Sequence, residues 1–102
     1  MFLHLNITNE TAVKESIQRT VERFGAIHIL VNCAGILSAS PTLTSKGVMD
    51  FASFKRTVEI NLYGTVYCAA HAAFHMSKNE PEGDAKERGV IINVSSVAAF
   101  EG

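Results

Sequence analysis

A chain of 102 residues, 47% hydrophobic and 19% charged, has the size and balance of one globular domain or part of one. That balance excludes disordered and fibrous classes. A formal net charge of −1 leaves no basic footprint for nucleic acid or an anionic membrane surface, and no apolar run approaches the roughly 18 to 20 residues that span a bilayer.

The opening stretch Met1-Phe2-Leu3-His4-Leu5-Asn6 has no basic n-region, no long apolar h-region and no Arg- and Ser-rich amphipathic pattern. No targeting segment is therefore expected in it. Cys33 and Cys68 form neither a disulfide framework nor a metal-ligand spacing. A reducing, intracellular compartment fits them, with both thiols expected as small buried hydrophobes.

Leu3-His4-Leu5 reads as a short strand ending at Asn6, after which Thr8 is the expected N-cap of a helix, with Glu10 near its positive end. Val13, Ile17, Val21 and Phe24 recur at helical spacing, with Lys14, Glu15, Gln18, Arg19, Glu22 and Arg23 on the other side. Gly25 stands where a left-handed C′ residue ends such a helix. Ile27 to Val31 is a short, almost wholly apolar run, which suits a parallel strand covered on both faces. It stops at Asn32-Cys33-Ala34-Gly35.

Residues 36–49 read as a loop, and Asp50 is placed to cap the next helix. Phe51, Phe54, Val58, Leu62, Thr65, Ala69, Ala73 and Met76 then fall at three- and four-residue steps, predicting one long helix over 50–76. Phe51, Phe54, Val58 and Leu62 are expected to face the sheet. A second stripe, with Ile60, Tyr67, Ala70 and Phe74, has no partner in the chain and suggests a subunit contact. Lys78 to Gly89 reads as a charged surface loop, and Val90 to Val94 as a second apolar strand ending at Ser95-Ser96. The order strand, helix, strand, helix, strand predicts an α/β fold of right-handed βαβ units in a doubly wound parallel sheet. Ligands in such sheets sit beyond the carboxyl ends of the strands, where Asn32 to Gly35 and Ser95-Ser96 both lie.

These segments resemble the short-chain dehydrogenase/reductase family. Val31-Asn32-Cys33-Ala34-Gly35 is similar to its Asn-Asn-Ala-Gly motif. Asn61, in Ile60-Asn61-Leu62-Tyr63-Gly64-Thr65, is similar to its mid-helix Asn, and Ile91-Ile92-Asn93-Val94-Ser95-Ser96 to its fifth strand with the catalytic serine. The resemblance covers essentially the whole chain. It implies a part of one NAD(P)-binding Rossmann domain spanning 1–102, with Ser96 and Asn61 catalytic, Asn61 holding a water in a proton relay. Asn32, Cys33, Ala34 and Gly35 are implied to contact the cofactor's ribose side. Asn6 and Ile7 stand where the family contacts adenine, Asn6 replacing an Asp and so offering an oxygen acceptor without charge. The implied cofactor is NAD, with NADP not excluded.

Val31 to Ile36, Asn79-Glu80-Pro81, Arg88 to Asn93 and Ser96 to Gly102 resemble the mitochondrial members that oxidise 3-hydroxyacyl-CoA and hydroxysteroid alcohols. That implies a small-molecule alcohol or ketone substrate, a mitochondrial location, and a homo-oligomer through helix 50–76. The family's Thr-Gly-x-x-x-Gly-x-Gly loop and Tyr-x-x-x-Lys pair do not occur among these residues, so the chain is expected to be an internal piece, inactive alone. In the family's strand order, 3-2-1-4-5-6, only Ile27 to Val31 and Val90 to Val94 are neighbours, leaving open edges and a bare apolar face. An alternative is a non-catalytic interaction module that acts through the long apolar helix.

Bland readings compete at several positions. Cys33 as a nucleophile lacks an adjacent base. His71 and His75 have a spacing that can grip zinc, but no third ligand accompanies them, so ordinary helix or interface histidines are expected.

Overall fold

The computed structural model describes residues 1–101. In chain order it holds α1 (Glu10–Phe24), β1 (Ile29–Asn32), β2 (Leu43–Thr44), β3 (Gly47–Val48), α2 (Phe51–Val58), a π-helical turn (Glu59–Gly64), α3 (Thr65–Met76), β4 (Val90–Asn93) and α4 (Ala98–Glu101). β1 and β4 pair in parallel, Ile29 opposite Val90 and Asn32 opposite Asn93. This is the α/β arrangement the sequence predicts, with the two expected strands adjacent.

The first helix starts one residue later than predicted. Thr8 does not cap it, because its hydroxyl and N–H both donate to Oδ1 of Asn6, at 2.8 and 3.0 Å. Asn9 is extended instead, with φ −99° and ψ 103°, and its Oδ1 accepts from the Ala12 N–H at 3.0 Å. Gly25 closes the helix at φ +92°, a conformation that favours glycine, its N–H donating to the Val21 carbonyl at 2.7 Å.

Leu3-His4-Leu5 does not form a strand. Leu3, Leu5 and Ile7 are half-buried while His4 and Asn6 are exposed, so the segment keeps a strand's alternation with no neighbour to bond it. The expected loop 36–49 contains a small antiparallel hairpin, Leu43 opposite Val48. The Lys78 to Gly89 connection is tied by mutual Glu82 and Glu87 backbone bonds.

The helix over 50–76 begins as expected, Asp50 accepting from the Ala52 N–H at 3.0 Å, but it is not one α-helix. The π turn at Glu59–Gly64 inserts a residue into the winding and rotates the faces that follow. Phe51 and Phe54, ahead of that turn, and Leu62 within it do not cover the sheet as expected and stay more than half exposed. The inner stripe is Gly64, Cys68, Ala72 and Met76, one residue out of step with the predicted Thr65, Ala69 and Ala73. Gly64 decides this offset: a Cβ there would lie 2.5 Å from Ile7 Cδ1, so only glycine admits the helix this close.

Val13 of α1, with Cys68, Ala72 and Met76 of α3, makes the buried core. Burying a side chain of valine size is worth roughly 1.5 to 3 kcal/mol, so this helix pair supplies most of the local packing energy. α3 packs against β1 and α1 packs on α3; in the strand Leu30 is half-buried, while Ile29 and Val31 on the opposite face are exposed. Asn79 ties the strand entrances together, its Nδ2 donating to the carbonyls of Ile27 at 2.6 Å and Arg88 at 3.0 Å.

Candidate functional site

The parallel register brings both strands to an end at the same level. Asn32 Nδ2 donates to Asn93 Oδ1 at 2.9 Å, and the Val94 N–H donates to the Asn32 carbonyl at 3.0 Å. Beyond these bonds the segments that follow β1 and β4 border a cleft of about 400 Å³. One side is Cys33, Ala34 and Gly35; the other is Ser95 and Ser96; Asn61 and Thr65 form the floor. Five of the residues singled out from sequence, Cys33, Ala34, Gly35, Asn61 and Ser96, therefore meet in one place.

Asn61 acts on the loop by a two-point clamp. Its Oδ1 accepts from the Ile36 N–H and its Nδ2 donates to the Ile36 carbonyl, each at 2.8 Å. Gly35 lies against the same carboxamide, where an added Cβ would stand 3.4 Å from Oδ1. The Asn61 backbone carbonyl accepts from the Thr65 hydroxyl at 2.9 Å. The side chain thus holds the loop that follows Cys33 to Gly35, a contact the sequence reading did not name. Sequence reading missed Thr65 as a cleft residue, though its four-residue spacing from Asn61 is the usual signal for a hydroxyl bonding back along a helix.

Ser96 opens the short helix α4. Its Oγ accepts from the Ala98 N–H at 3.2 Å and its carbonyl accepts from the Ala99 N–H at 3.0 Å. The hydroxyl keeps its own proton and a second lone pair to direct into the cleft. Cys33 is exposed, against the expectation of a buried thiol, because it lies past the last paired residue of β1. Cys68 is the buried one, and desolvation pushes its thiol above the ordinary value.

The remaining candidates lie elsewhere. Asn32 is committed to Asn93. Asn6 borders a separate groove with His4, Thr8, Arg56 and Glu59. Its oxygen accepts twice from Thr8, which leaves the carboxamide N–H groups without a bond to this turn. The Ile7 side chain turns inward onto Gly64. His71 pairs with Glu10 across α1 and α3, an ordinary inter-helix contact, and among the described residues no cluster of His, Cys, Asp and Glu is built to hold a metal.

A family model described as short chain dehydrogenase matches residues 1–102. The chain belongs to that family. It is 41% identical over 104 residues to 3-hydroxyacyl-CoA dehydrogenase type-2 of Rattus norvegicus, covering all of this chain and 40% of the rat protein. The cis-4-hydroxycyclohexanecarboxylate dehydrogenase of Sinomonas cyclohexanicum is 32% identical over 102 residues, with 37% of that protein covered. Among solved structures, ElxO with NADP bound superposes at a TM-score of 0.80 with 33% identity, over all of this chain and 37% of ElxO. The chain thus spans about 40% of the length of the curated relatives it matches. The Rossmann-type architecture and the oxidoreductase class follow from these matches; nothing in them favours the interaction-module alternative.

Proposed function

We propose that residues 1–102 form the internal part of one NAD(P)-binding Rossmann domain, and that the strand-end cleft is the dinucleotide and substrate site of a dehydrogenase. The observation that supports this most is the meeting of Cys33 to Gly35, Asn61 and Ser96 at the carboxyl ends of two adjacent parallel strands. The residues fit a dinucleotide: a small-residue loop held by its backbone, a glycine at close quarters with Asn61, and an exposed hydroxyl opposite.

Cys33, Ala34 and Gly35 would carry the ribose side of the cofactor, with Asn61 fixing their path through Ile36. Asn6 would donate to a ring nitrogen of adenine through its carboxamide N–H groups. When bound, NAD supplies the hydride acceptor. Ser96 hydrogen-bonds the substrate oxygen and stabilises the charge that develops there. A lone serine hydroxyl is too weak an acid to move the proton near neutral pH, so the acid/base belongs to the family's Tyr-x-x-x-Lys pair, which these residues do not include.

Likeness to the type-2 enzymes favours a 3-hydroxyacyl-CoA or hydroxysteroid alcohol as substrate, NAD over NADP, and a mitochondrial setting. The second stripe of the 50–76 helix, with Phe74 at 57% exposure, is the proposed homo-oligomer contact. One experiment tests the reading. Residues 1–102 replace the matching stretch of the rat type-2 protein, and NADH formation is followed with 3-hydroxyacyl-CoA. Substrate-dependent turnover is expected; a folded hybrid that binds NAD but never turns over would reject the assignment.

A further inference from the structure

The π turn at Glu59–Gly64 meets two parts of the chain that lie far apart in sequence. At Asn61 it grips Ile36, directly after the Cys33 to Gly35 loop, through two 2.8 Å hydrogen bonds. At Gly64, which is buried, it receives the side chain of Ile7, next to Asn6 and the turn that Asn6 makes with Thr8. A Cβ on Gly64 would stand 2.5 Å from Ile7 Cδ1, 2.6 Å from Cγ1 and 3.1 Å from Cβ. Rotating the end of the Ile7 side chain does not clear the last of these, because Cβ is fixed by the backbone. A methyl group at Gly64 must therefore move either the Asn6–Thr8 turn or the π turn itself. Moving the π turn carries Asn61, three residues away, off Ile36.

We infer that Gly64 is a positioning residue for the dinucleotide, setting the spacing between the Asn6–Thr8 turn and the Cys33–Ile36 loop by admitting Ile7 into the helix. The inference rests on the proposed function, since those are the two places at which that reading lays the two sides of one cofactor. It goes beyond it by making the spacing depend on a residue that lines neither. Gly64 acts through Ile7 on one side and Asn61 on the other. A glycine that only permits close helix packing would change stability and leave the loop and the ligand alone.

The test uses the full chain as wild type, Gly64→Ala, Ile7→Ala and the double variant. Hydrogen exchange at the Ile36 amide reads the clamp, and titration with AMP reads the adenosine side. Gly64→Ala is expected to lower Ile36 protection and AMP affinity by about tenfold each, with Ile7→Ala/Gly64→Ala returning both to within about twofold of Ile7→Ala, as a direct steric coupling requires. A folded Gly64→Ala chain with both readouts unchanged overturns the inference, whatever its melting temperature. If Gly64→Ala does not fold, the double variant carries the comparison. A double variant that also fails to fold, or that recovers neither readout, overturns it too, because the clash with Ile7 would not be the cause. A wild-type chain that binds no AMP sinks the cofactor reading instead, and Ile36 exchange still decides whether Gly64 sets the clamp.

Discussion

Replacing Asn61 with alanine removes both hydrogen bonds that hold Ile36 and leaves the Cys33 to Gly35 loop without a tether on the helix side. The clamp is on an exposed part of the surface, so water replaces each lost partner and neither backbone group is left unsatisfied. A net value of about 0.5 to 1.5 kcal/mol per bond then applies, or about 1 to 3 kcal/mol for the pair. At about 1.4 kcal/mol per factor of ten, local opening at Ile36 becomes roughly 5 to 150 times more frequent. Native-state hydrogen exchange of the Ile36 amide measures this directly. Asn61→Asp separates the two contributions, because a carboxylate still accepts from the Ile36 N–H but faces the Ile36 carbonyl with a second oxygen. Exchange in Asn61→Asp should therefore fall between wild type and Asn61→Ala. An Ile36 amide as slow in Asn61→Ala as in wild type would refute the clamp and, with it, the role given to Asn61.

Cys33 is exposed and Cys68 buried, so iodoacetamide should alkylate Cys33 first, with Cys68 reacting only on unfolding; peptide mapping shows which thiol is labelled, and equal rates would contradict the burial. Burial pushes the Cys68 thiol up, so the folded chain keeps a proton that the unfolded chain releases above about 9.0. Stability is therefore unaffected by this group below that pH and falls as pH rises through it; Cys68→Ala should flatten that part of a denaturation-versus-pH curve. In the hybrid enzyme, Phe74→Asp should shift sedimentation towards monomer or aggregate, whereas an unchanged oligomer of normal stability would place that stripe within the subunit. The 102 residues alone should produce no NADH from 3-hydroxyacyl-CoA, since Ser96 cannot supply the acid/base.

The elements fixed by local chemistry were legible in the sequence: the α1 periodicity, Gly25, Asp50, and the two apolar strands with their polar ends. Tertiary contacts governed what was not. Asn9 caps α1 in place of Thr8 because the Thr8 hydroxyl is taken by Asn6, a competition that spacing cannot rank. Periodicity placed Thr65, Ala69 and Ala73 on the inner face, but the fit of Ile7 against Gly64 and the π turn beside it selected the neighbouring row. Leu3-His4-Leu5 has a strand's pattern without a strand's partner, and pairing is a property of the neighbour as much as of the segment. At the cleft, the motifs named Asn61 and Ser96, but not that one clamps Ile36 and the other caps α4. The clamp joins residues 25 apart in sequence that only the tertiary fold brings together, whereas the Ser96 contacts are made within its own turn.

The decisive measurement is steady-state turnover of the hybrid enzyme carrying residues 1–102, with and without Ser96→Ala. Losing a hydrogen bond that stabilises charge only in the transition state typically costs about 10²- to 10³-fold in kcat while leaving cofactor binding alone. A fall in kcat of that order with an unchanged KM for NAD is the predicted result. A Ser96→Ala enzyme that keeps more than about half its kcat would contradict the placing of the chemistry at this strand end.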